Sequence, residues 1–250
     1  GGWGRTHSSQ SRIVEIEKSY PHSLFKTSPL IPRGNGLSYG DANTIDNGWI
    51  LCNSCFKGLS LDGDILTVGS GETITSTNNF LRSLQYELPV VPGTGNVTIG
   101  GAISSDIHGK NHHKVGSFGD HVLELEIETP NHGRTWIRRS DPNLAFSAFI
   151  GGMGLAGIIH QSKIRVVPRL SDYVRIKRQS GNGFPKLLEL LNDQSASDTY
   201  SIAWIDLARI SETKFANWIL DSGNDDLGHF DAQPTRTART AKLPLVPITW

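Results

Sequence analysis

Side chains able to move a proton cluster at one place in this sequence. His108, Lys110, Asn111, His112 and His113 lie within six residues. They end the denser part of a stretch over residues 89–121 that reads PVVPGTGNVTIGGAISSDIHGKNHHKVGSFGDH. An imidazole and an ammonium on one loop can exchange a proton with a hydroxyl or contact an anion. The first half of the stretch has another character. Pro92, Gly93, Thr94, Gly95, Thr98, Gly100, Gly101 and Ala102 are small or turn-forming, and Ser104 and Ser105 follow. Glycine lets a backbone approach a ligand closely, and successive N–H groups form concave nests that hold phosphate. The pattern predicts a phosphate-bearing ligand wrapped by the first half, with the ionisable groups of the second half brought to it. Val91, Val97, Ile99 and Ile103 supply apolar anchors that a plain surface turn would lack.

A second cradle candidate is Arg33-Gly34-Asn35-Gly36-Leu37-Ser38-Tyr39-Gly40-Asp41, placed after the apolar pair Leu30-Ile31. It superficially suggests a dinucleotide fingerprint. Its third glycine comes one residue late, and residues 41–48 are not an amphipathic helix, so a nicotinamide-binding Rossmann unit is excluded. A loop holding a pyrophosphate without that helix remains open.

The elements that must position these loops follow from local pattern. Residues 12–17 read as a short strand or helix start. Short strands are expected at 49–51 and 64–68, with Asp62-Gly63 a turn between them. Thr73 is expected to cap a helix running to about Gln85, with Ile74, Phe80, Leu81 and Leu84 buried. Residues 122–129 (VLELEIET) alternate strictly, which predicts a half-buried strand with Glu124, Glu126 and Glu128 on a solvated face. A hairpin turn at Asn131-His132-Gly133 and a return strand over 135–138 follow. Asp141-Pro142 should open a helix carrying Leu144, Phe146 and Phe149. Glycines at 151, 152 and 154 suggest close approach to a bound group, before Ile159, a strand over 164–167 and Pro168. After Pro168 the glycines thin out. Residues 172–177, a helix around 185–191 and the strand YSIAWIDL (200–207) predict a second α+β unit, in which Trp204 and Asp206 share a face. That face either lines a pocket or simply packs. The lead-in Trp3-Gly4-Arg5 is expected to pack on something, and residues 231–250 show no period.

Composition narrows the function classes. The 250 residues carry 24 Lys plus Arg against 24 Asp plus Glu, with no basic stripe, so a nucleic-acid partner is not expected. No window approaches eighteen apolar residues, so no transmembrane segment is expected. No signal peptide is visible, which gives a cytoplasmic expectation. A periplasmic or membrane-peripheral place stays open because the sequence begins without Met. The two cysteines, Cys52 and Cys55, read as ordinary thiols, with a redox pair or half a metal site as alternatives. The histidine cluster has no carboxylate or cysteine at ligand spacing, so no metal is expected.

Together these motifs resemble the FAD-linked oxidases of the vanillyl-alcohol-oxidase class, and within it the decaprenylphosphoryl-β-D-ribose oxidase group. Trp3-Gly4-Arg5, residues 33–41, 92–94 and 97–102, the run DIHGKNHH (106–113), Gly116-Ser117-Phe118-Gly119, residues 151–155 and residues 200–206 carry the resemblance. It implies an α+β, PCMH-type FAD-binding fold of two subdomains over 1–168, with the beginning of an α+β substrate domain over 169–250. It implies that the loops at Arg33–Tyr39 and Pro92–Ala102 hold the FAD pyrophosphate. Ser105, Ile107, Gly109, His113, Gly154 and Ile159 would line the flavin. His108 and Lys110 would face the substrate as catalytic contacts, and Trp204 would touch it. Many class members tether FAD through a histidine in the first loop, where this chain has Leu37 before Ser38, so non-covalent FAD is expected. The expected reaction is oxidation of a secondary hydroxyl of a small-molecule or lipid-linked sugar, with a reductase partner completing an epimerisation. An aldonolactone or polyol oxidase and a non-catalytic flavin-binding fragment are the alternatives.

Overall fold

Short apolar runs broken by glycine-rich turns fold into several small sheets rather than one large one. The computed structural model describes residues 8–15, 28–141, 146–207 and 216–228. Trp3-Gly4-Arg5, Pro142, Leu144 and the 231–250 tail lie outside the described residues. Strands β1 (Arg12–Glu15), β2 (Leu30–Arg33) and β3 (Trp49–Cys52) form a parallel sheet in the order β1-β3-β2. Ile31, Ile50 and Leu51 are buried in it. Between β2 and β3 the chain makes turns at residues 40–43 and 46–47 and no helix, as the rejection of a Rossmann unit requires.

The second sheet holds the core. β4 (Leu59–Asp62) and β5 (Ile65–Gly69) form a hairpin. Helix α1 (Ile74–Arg82) follows, then β6 (Tyr86–Glu87), α2 (Ile99–Ser104) and α3 (His112–Val115). β7 (Val122–Thr129), β8 (Gly133–Arg138), α4 (Phe146–Phe149) and β9 (Ile158–Arg165) complete the sheet, which is antiparallel in the order β4-β5-β9-β7-β8. Leu66, Val68, Leu125, Ile127, Ile137 and Ile164 from the strands meet Ile74, Leu81, Ile99 and Ile103 from the helices. Each such side chain contributes about 1.5–3 kcal/mol when fully buried.

Thr73 caps α1 as expected. Its Oγ1 accepts the Ser76 N–H at 3.0 Å, and Ser76 Oγ accepts the Thr73 N–H at 3.0 Å, a reciprocal box. The helix stops at Arg82, three residues early, and Gln85 takes φ 63°. Leu84 is therefore exposed instead of buried. Strand β4 was not anticipated, and β9 begins at Ile158 rather than 164. Phe146 and Phe149 are buried as expected.

The glutamates of β7 are not simply solvated. Arg138 and Lys163 bind Glu124, Arg134 binds Glu126 through two hydrogen bonds of 2.8 Å, and buried His160 meets Glu128 at 2.9 Å. The exposed arginine pairs add only about 0–1 kcal/mol each. His160 is different. Burial, then the Arg134 charge, push its pKa down against the pull of Glu128. The unfolded chain therefore takes up a proton near pH 6.5 that the folded chain resists, and the unfolded state binds more protons there. Stability is expected to fall on acidification from about pH 6.5 down to the lowered folded value. Thermal unfolding midpoints from pH 7 to 5 should drop more steeply in the wild type than in His160→Gln. Equal slopes would assign the effect to other groups.

Past a two-stranded ribbon of β6 with β10 (Val167–Pro168), the chain builds a third sheet. β11 (Val174–Asn182), helix α5 (Phe184–Ser197), β12 (Tyr200–Asp206) and β13 (Asn217–Asp225) form it, in the antiparallel order β11-β13-β12. α5 packs Leu187 on Trp218 and Leu220, a separate small core. The opposite face leaves Ile176, Trp204 and Ile219 exposed.

Candidate functional site

Four loops that are far apart in sequence come together. The loop after β2 meets the loop before α2. Asn35 Nδ2 donates to the Asn96 carbonyl at 2.7 Å. A Cβ on Gly34 would lie 2.2 Å from Thr98 Oγ1, so only glycine permits this approach. Gly36 has φ +69°, which a β-carbon disfavours. Thr98 caps α2, its Oγ1 accepting the Gly101 N–H at 3.2 Å. The loop after α4 joins from the other side. Gly154 sits against Pro32 of β2, and the Met153 N–H donates to the Ser104 carbonyl at 2.8 Å.

The fourth loop carries the ionisable groups. His108 and Lys110 are both exposed. A bridge between His108 and Ser117 fixes the backbone, and the Phe118 N–H donates to the Ile107 carbonyl at 2.8 Å. His108 Nδ1 is 3.5 Å from the Gly109 carbonyl, at the limit of a hydrogen bond, and its ring stands edge-on to His112 with centroids 5.8 Å apart. Asn111 is buried and donates to the Pro89 carbonyl at 2.9 Å, which pins the loop from below.

This arrangement suits a long ligand with an anionic middle and a flat apolar end. Beside Gly93 there is open space where a side chain would stand. Tyr39, Val91, Met153 and Leu155 are exposed apolar groups on these loops. The residues present fit FAD.

The structure thus brings Arg33 to Tyr39, Pro92 to Ala102, Ser105 to Lys110 and Gly154 into one neighbourhood. One expected side chain stands elsewhere. Ile159 is 3% exposed inside the main core and pairs with Ile127 across β7–β9, so its side chain does not line a ligand site. His113 Nε2 is 2.9 Å from the Asp198 carbonyl, tying the loop to the third sheet. The Ser201 N–H adds a second tie, donating to the Lys110 carbonyl at 2.9 Å. Trp204 lies on the outer face of β12, 65% exposed. Cys52 and Cys55 are free thiols whose pKa values burial pushes up, so both favour the protonated form.

Sequence reading missed a cavity of about 700 Å³ beside the Lys110 loop. Tyr86, Glu87, Arg169, Tyr200 and Asp225 line it. Burial and the Asp225 charge push the Tyr200 phenol up to about 12, and burial followed by Asp225 raises Glu87. Its walls come from the β6–β10 ribbon and the third sheet, a junction that no local pattern reveals.

Comparison with known proteins points to the same cofactor. Residues 24–137 match the family described as FAD binding domain. Over 219 residues the chain is 32% identical to the decaprenylphosphoryl-β-D-ribose oxidase of Mycolicibacterium smegmatis, covering 82% of this chain and 47% of that protein. It is 26% identical over 170 residues to a D-lactate dehydrogenase of Archaeoglobus fulgidus, covering 65% of this chain and 38% of that protein. The chain spans less than half the length of these relatives. No helix among the described residues is long and apolar enough to cross a membrane. Glycine loops that converge from four places and the matched family agree, and residues 24–137 carry an FAD-binding domain.

Proposed function

We propose that the chain is the flavin-holding part of an FAD-dependent oxidoreductase that oxidises a secondary hydroxyl of a sugar. A polyprenylphosphoryl ribose going to its 2′-keto form is the favoured substrate. The contact of the Gly34 and Thr98 loops, close to the exposed His108 and Lys110, carries this reading. The 32% identity to a ribose oxidase supports the substrate class. Residues 1–168 form the FAD-binding domain in this reading, and residues 169–250 open the substrate domain.

Bound FAD supplies a two-electron acceptor for the carbon-bound hydrogen. This chain's residues do the rest. The loops at Arg33–Tyr39 and Pro92–Ala102 hold the pyrophosphate with backbone N–H groups. Ser105, Ile107, Gly109 and Gly154 would line the flavin. His108 takes the hydroxyl proton on its imidazole, and Lys110 holds the developing oxygen charge or a phosphate. Trp204, on a sheet hydrogen-bonded to the Lys110 loop, closes over the sugar.

Anaerobic mixing of the FAD-loaded chain with a polyprenylphosphoryl ribose, a free aldonolactone and D-lactate tests this. Bleaching of the flavin band by the ribose lipid alone is the expected result, and His108→Ala should slow it by about 10²–10⁴-fold. Bleaching by lactate or lactone instead would reassign the substrate. A chain that binds FAD but is reduced by none of them would sink the oxidoreductase reading for this length of chain.

A further inference from the structure

The residue just before the His108 loop has an unusual backbone. Asp106 has φ +41°, in the left-handed region that aspartate tolerates better than most side chains. Its surroundings fix it there. Its Oδ1 accepts the Gly119 N–H at 2.8 Å. The N–H groups of Asp106 and Ile107 return to the Ile103 and Ala102 carbonyls of α2, at 3.0 and 3.1 Å. Gly151 also donates to the Ile103 carbonyl, at 3.0 Å, and a Cβ there would touch the Asp106 Cβ at 3.5 Å. A Cβ on Gly119 would come within 2.8 Å of the Asp106 carboxylate. Three segments (the end of α2, the turn at Gly119 and the Gly151 loop) therefore close on one residue.

We propose that Asp106 is a positioning residue that sets the direction in which the chain leaves α2, and through it the placement of His108 against the flavin. The positive φ turns the chain sharply out of the helix. The Gly119 hydrogen bond then holds that turn against the Ser117–Phe118 segment, which pairs with Ile107 and His108. The carboxylate does not itself touch a substrate in this assignment. It rests on the reading above that residues 105–109 line the flavin.

Three substitutions separate the parts of the device. Asp106→Asn keeps both the acceptor oxygen and tolerance of the left-handed backbone. Asp106→Gly keeps only the backbone. Asp106→Ala keeps neither. FAD affinity, followed by quenching of flavin fluorescence, should stay within about twofold in Asp106→Asn, weaken about fivefold in Asp106→Gly and weaken more than about tenfold in Asp106→Ala. With FAD saturating, the visible circular dichroism of the bound flavin should change in the glycine and alanine variants and not in the asparagine one. The His108 ring signal in proton–carbon NMR of the FAD-free chain, assigned with His108→Gln, should move in the same order. Variants that lose thermal stability yet keep the wild-type dichroism and His108 signal would make Asp106 merely structural and overturn the assignment. So would an Asp106→Asn that behaves like Asp106→Ala, because charge would then govern. If the wild type binds no FAD, the functional reading falls, and the His108 signal still decides the role of Asp106.

Discussion

Acid precipitation of the FAD-loaded chain is expected to release essentially all of its flavin into the supernatant. A covalent tether needs a nucleophilic side chain held at the ring. The first loop offers Leu37 and Ser38 where a histidine would stand in tethered members of the class. The thiols are no substitute. Cys52 ends β3, Cys55 closes the short turn after it, and burial holds both towards the protonated form. Absorbance near 450 nm in pellet and supernatant, read after trichloroacetic acid, decides the matter. Colour that stays with the pellet would mean a covalent tether and would overturn the reading of the Leu37 loop. Non-covalent binding also makes stability depend on free cofactor. At one hundred times Kd the folded state should gain about 2.7 kcal/mol.

Gly34→Ala should sharply weaken cofactor binding. The new Cβ would fall 2.2 Å from Thr98 Oγ1 and 3.2 Å from both Thr98 Cβ and Cγ2. Thr98 cannot simply turn aside, because its Oγ1 caps α2 through the Gly101 N–H. Losing that cap costs about 0.5–2 kcal/mol. Keeping it forces the two loops apart and strains the Asn35–Asn96 hydrogen bond. FAD affinity is expected to fall at least about tenfold, since a loop displaced by an ångström no longer presents its N–H groups to the same phosphate. Adding Thr98→Ala should restore part of that affinity while lowering the unfolding temperature slightly. A titration in which the double variant binds no better than Gly34→Ala would show that the Thr98 contact is not the cause.

Much of this was legible in the sequence wherever the signal is local. VLELEIET alternates with period two over eight residues, and β7 spans those same eight. Thr73 announces its helix through a cap and a box partner three residues on. Residues 59–62 alternate as well, yet four residues beside a polar turn are too few to tell an edge strand from a loop. The glycine loops were recognised from their composition, and the run DIHGKNHH gave the family. Their meeting was not readable, because the Asn35–Asn96 contact spans 61 residues with no periodic mark at either end. Ile159 shows the opposite failure. It sits among glycines and so resembles a lining residue, but strand pairing turns it into the core. The tie of His113 to the Asp198 carbonyl, 85 positions away, was not readable either.

The pairing of β5 with β9 aligns Ile65 with Arg165, one hundred residues apart. The segments that lead into and out of the His108 loop, α1, α2 and β7 among them, lie inside that closure. Forming a contact of such separation costs chain entropy before it returns any packing, so folding of this sheet should be slow beside that of a helical domain of equal size. On a ribosome, β5 emerges long before β9 exists. Until then β5 has only β4 beside it, and its other edge is an unpaired strand rich in Ile, Leu and Val. Such an edge invites pairing with a neighbouring chain. Expression yield should therefore respond to temperature and to chaperone supply more than to added FAD, because the cofactor's cradle is finished only after that edge is covered.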